Sequence, residues 1–80
     1  MLSKKGAKDL RQIILAEMDA AGATGLREDV LLDAASKRLG NITQGQLRRQ
    51  TGRLIDLGYE IITSDPDLPG RRYRLVVRAH

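Results

Sequence analysis

Apolar residues recur along the first two thirds of the chain at a spacing of three and four, which is the period of a helix with one buried face. Leu10, Ile13, Ile14, Met18 and Ala21 define such a stripe over residues 8–21. Glu17 falls within it, where a carboxylate is tolerated at the rim if an arginine pairs with it. Leu31, Leu32, Ala35 and Leu39 predict a second helix over 27–39. Its acids Glu28 and Asp29 stand in the first turn and its bases Lys37 and Arg38 in the last, as the helix dipole prefers. A third helix is predicted over 43–58, with Leu47, Thr51, Leu54 and Ile55 inward and Gly45, Arg48, Arg49, Gly52 and Arg53 outward.

The ends of that third helix are written into the sequence. Thr43 and Gln46 have the spacing of a capping box, and Ile42 and Leu47 that of a hydrophobic staple. Gly58 supplies a residue that tolerates the left-handed conformation at which helices stop. Gly40-Asn41-Ile42 leaves only a short turn between the second and third helices. The Gly22–Gly25 stretch reads as a loop, with Leu26 placed to form a one-residue bridge to a sheet.

After Gly58 the period changes to two. Tyr59, Ile61 and Thr63 alternate with polar or outward positions, and Tyr73, Leu75 and Val77 do so again after Arg71. Between them 65–70 holds both prolines, so the two strands are joined by a loop. Met1 to Ala7 is basic and without period, and reads as an N-terminal arm (1–7) ahead of a single domain (8–80). The predicted fold class is α+β, with three helices followed by a two-stranded hairpin.

Composition narrows the chemistry. There is no cysteine, and the one histidine is His80, so neither a disulfide nor a zinc cluster is expected. No apolar run spans a bilayer and no signal-peptide core is present, which favours the cytoplasm. Glu28, Asp29 and Asp33 are better explained by dipole and surface effects than by catalysis, and Asp65 and Asp67 by turn chemistry than by calcium. No nucleophile–base pair or phosphate loop is visible, so an enzyme, a cofactor or a small-molecule ligand is not expected. The net charge of +4 is unevenly placed: residues 44–80 carry seven arginines, no lysine and four acids. Planar guanidinium groups suit phosphates and guanine edges.

Thr43, Leu47, Arg49, Leu54, Gly58, Tyr59, Ile61 and Tyr73-Arg74-Leu75 together resemble the pattern of winged helix-turn-helix domains. More narrowly, the chain resembles the DNA-binding domains of DeoR-like repressors and of the biotin-ligase repressor, over roughly residues 10–76. The first sixty residues are also similar in layout to small proteins of Mu-like prophages. The chain departs from the repressor pattern in three places. Arg72 stands where a glycine usually precedes the tyrosine, the turn before Thr43 is longer, and the loop between the strands has two prolines. The resemblance implies a bacterial or phage transcriptional regulator that binds double-stranded DNA, with the third helix in the major groove and the hairpin as a wing on the backbone. Its implied contacts are Gln44, Gly45, Arg48 and Arg49 to the groove and Arg71 and Arg72 to the flanking backbone; Thr43 and Arg53 complete the candidate set. A homodimer through the first helix or the arm is compatible with this reading. The alternative is a protein-interaction or assembly module that uses the same fold without DNA.

Overall fold

The computed structural model describes residues 3–64 and 71–76. The order is α1 (Lys4–Ala21), a 3-10 turn (Gly22–Thr24), β1 (Leu26–Arg27), α2 (Glu28–Leu39), α3 (Gln44–Asp56), β2 (Ile61–Ser64) and β3 (Arg72–Leu75). The architecture is α+β, three helices with a small antiparallel sheet.

The first helix starts earlier than its apolar period. Ser3 caps it by accepting from the Gly6 amide at 3.0 Å, so residues 4–7, expected in an arm, are its first turns. A hydroxyl on an orphan amide outweighs the absence of a stripe there. Leu10, Ile13, Ile14 and Met18 then bury against Leu31 and Ala35 of α2, Leu47 and Leu54 of α3, Ile42 of the turn and Tyr73 of β3. Glu17 meets Arg38 of α2 at 3.7 Å at the edge of this core, the arginine pairing that its position called for.

The sheet corrects the expected two-stranded hairpin. It has three strands in the order β1-β3-β2, with Leu26 opposite Tyr73 and Arg27 opposite Arg72. The bridge anticipated at Leu26 is therefore two residues long. It converts β3 from an edge into the central strand, which satisfies both sides of its backbone. The turn before β1 depends on Gly25: its φ is +77°, and a Cβ there would lie 2.9 Å from the Tyr73 carbonyl oxygen. β2 begins at Ile61 rather than Tyr59, and Tyr59 is 37% exposed. Ile61 pairs with Leu75 and Thr63 with Tyr73 on the inner face, while Ile62 pairs with Arg74 and Ser64 with Arg72 outside. The loop 65–70, Val77 and Arg78 lie outside the described residues.

At α3 the local signals act as read. Thr43 Oγ1 accepts from the Gln46 amide at 3.1 Å, and Gln46 Oε1 accepts from the Thr43 amide at 2.9 Å. Ser36 Oγ accepts from the Ile42 amide and fixes the entry of the chain into the helix. At the other end, the amides of Gly58 and Tyr59 bond to the carbonyls of Ile55 and Leu54, with Gly58 at φ +102°. That is the paired bond pattern of a Schellman stop.

The buried stripe of α3 is shifted from the expected one. Leu47, Gln50, Thr51 and Leu54 are buried, whereas Ile55 is 47% exposed. Gln50 takes the inner flank because Arg11 Nη1 of α1 donates to its Oε1 at 2.8 Å, and Thr51 because its hydroxyl donates to the Leu47 carbonyl. Polar groups with partners can be buried at little cost. That rotation puts Ile55 on the exposed side of the helix.

Candidate nucleic-acid interface

The outward face of α3 divides into two parts. Arg49 and Arg53, one helical turn apart, are exposed, and neither side chain has a hydrogen bond or ion pair to another described residue. Beside them Gly45 and Gly52 leave open surface: a Cβ on Gly52 would meet nothing within 4 Å, and one on Gly45 only Thr43 Oγ1 at 3.9 Å. The fold itself thus has no need of either glycine, although each weakens the helix by ~1 kcal/mol relative to alanine.

Gln44 and Arg48 form the second part, and both are tied to Glu28. Arg48 Nε donates to Glu28 Oε2 and Arg48 Nη2 to Glu28 Oε1, each at 3.0 Å. Gln44 Nε2 donates to Oε1 at 2.5 Å, and the Tyr73 hydroxyl donates to Oε2. The Glu28 amide, first of α2, donates to the Arg71 carbonyl at 2.7 Å. One carboxylate therefore joins the start of α2, the first turns of α3 and the central strand. Glu28 is only 4% exposed. Burial alone would raise its pKa, but the hydrogen bonds of Arg48, Tyr73 and Gln44, with the charge of Arg48, hold it down at about 2. The Arg48 guanidinium rises in turn, chiefly through its bonds to Glu28. Tyr73 is pushed up by burial and by donating to Glu28, with Arg71 pulling the other way.

The candidate residues thus play unequal parts. Thr43 spends its side chain on the cap. Gly45, Arg49 and Arg53 share the open face of α3, while Gln44 and Arg48 stand on the same helix but bonded to Glu28. Arg71 is half-buried beside Tyr73 and the start of α2. Arg72 is exposed on the outer sheet face, opposite Arg27 and two residues from Arg74. Like charges directly opposite one another weaken a strand pair, here offset in part by Asp29, 3.1 Å from Arg27. Glu28 and Tyr73 were missed as the joint of the site. The signal was present: Glu28, Leu31 and Ala35 share one helical stripe, and all three are buried.

Among the described residues no group of three or more His, Cys, Asp or Glu is placed to hold a metal, and no helix is long and apolar enough to cross a membrane. No protein-family model matches the chain, and neither the curated proteins nor the solved structures yield a match.

Proposed function

We propose that the chain is a winged helix-turn-helix protein that binds double-stranded DNA with sequence preference and regulates transcription in the cytoplasm of a bacterium or in a phage. The observation that carries this reading is the open face of α3. Two arginines without described partners stand beside two glycines that the fold does not require. Such a face admits a polyanion close to the helix backbone, where positive charge meets phosphate. The short turn between α2 and α3, with the β2–β3 hairpin following, matches the helix-turn-helix and wing order.

A titration of duplex DNA across salt concentrations tests it. Arg49→Ala is expected to lose ~1–3 kcal/mol on a selected site and to relax preference at one base pair. Arg72→Ala is expected to weaken selected and random DNA equally and to flatten the log–log salt slope by ~1. Absence of wild-type binding at low salt would reject the reading. One observation favours the second reading, a protein-interaction module or homodimer: Ile55, Leu57, Tyr59 and Ile62 are exposed around the end of α3 and β2. Its signature would be a concentration-dependent assembly that Ile55→Lys or Leu57→Lys abolishes.

A further inference from the structure

We infer that Arg48 reads a guanine in the major groove, through a guanidinium that Glu28 fixes from the side. The inference rests on the DNA-binding reading and assigns a task within it. A guanidinium has five N–H donors in one plane. Glu28 takes the edge formed by Nε and Nη2, one bond to each carboxylate oxygen, both at 3.0 Å. What remains is the end of the fork, the Nη1 hydrogens and the second Nη2 hydrogen. Two parallel donors at that end match the N7 and O6 acceptors that guanine displays in the major groove.

The surroundings favour a base over a phosphate. Arg48 lies on the exposed side of α3, with its side chain 39% exposed, next to Arg49 and one turn from Gly45 and Gly52. Its charge is already balanced by a carboxylate that is itself locked by Gln44 and Tyr73. A balanced ion pair exerts little pull on a phosphate, whereas its remaining donors keep their direction. The same lock removes the rotamer freedom that an unheld arginine gives up on binding. Arg53 has no such support and no ion pair to a described residue, so attraction to the backbone falls to it, while Arg49 reads a separate position of the site. Glu28 acts here as a positioning residue, since it holds the reading group without touching the base.

The experiment selects bound sequences from a random duplex pool with the wild-type protein, then replaces each guanine of the enriched site by 7-deazaguanine, which lacks the N7 acceptor. At one guanine this change is expected to weaken wild-type binding roughly tenfold and to cost Arg48→Ala nothing further. On the unmodified site, Arg48→Ala is expected to lose roughly 5- to 150-fold against the best competing base at that position, with its salt slope unchanged. Glu28→Gln, verified as folded by its amide spectrum, is expected to reduce the penalty at the same guanine, and Arg49→Ala to leave it in place. An enriched site at which every deaza penalty is the same for wild type and Arg48→Ala overturns this inference and leaves DNA binding standing. A wild-type protein that enriches no sequence overturns both.

Discussion

Glu28→Ala is expected to destabilise the protein by about 3 kcal/mol at neutral pH, because it strands the Tyr73 hydroxyl and uncouples Arg48 and Gln44 in one step. The effect should carry a distinctive pH dependence. The folded-state pKa of Glu28 is about 2, below its ordinary value of 4.5. A depressed carboxylate contributes stability that is complete above its unfolded pKa and is lost as pH falls through the folded one. The window is therefore from about 4.5 down to about 2, and the amount lost is on the order of 3 kcal/mol. Glu28→Gln has no such proton to take up, so its stability should fall less over that interval. Denaturant midpoints at pH 7, 4 and 2.5 for both proteins make the comparison. Parallel acid profiles would show that the carboxylate is not held as described.

Leu47→Ala and Leu54→Ala are each expected to lose ~2–5 kcal/mol, by removing buried methyl groups and leaving a cavity. Both leucines are fully or almost fully buried at the centre of the cluster shared by all three helices and Tyr73. In a domain of this size that loss is a large part of the total stability. Ile55→Ala is the control, since its side chain is half-exposed and should cost far less. Melting temperatures that fall equally for Ile55→Ala and Leu54→Ala would contradict the observed rotation of α3.

The three helices and the ends of α3 were legible because their causes are local: a stripe, a cap three residues away, a glycine at the stop. Glu28 and Gln50 were not, because a polar side chain is buried only when a partner arrives from elsewhere. Those partners are Arg48 and Tyr73 for one and Arg11 for the other. The assignment of Ile55 to the core failed for the same reason, since Gln50 takes the place that hydrophobicity alone would have reserved for it. β1 has two residues, too few to show any period, and only its pairing with β3 defines it. The candidate site was legible as a set of arginines on one helix. Their division into held and unheld members was not, because it depends on an acid 20 residues away from Arg48.

The Glu28 cluster also bears on the order in which the chain assembles. Its bonds join segments separated by 16, 20 and 45 residues, whereas the helices and the β2–β3 pair are built from neighbours. Closing the longest of these loops yields a return only after α2, α3 and β3 have already come together. The cluster should therefore form on the native side of the folding barrier. Glu28→Ala is then expected to accelerate unfolding while leaving the refolding rate near that of the wild type, and Leu47→Ala to slow refolding as well. Stopped-flow chevrons separate the two, and a Glu28 variant whose refolding limb alone moves would place the cluster in the nucleus. In that order of events, the latch between helix and strand guards the lifetime of the native state and has no part in the search for it.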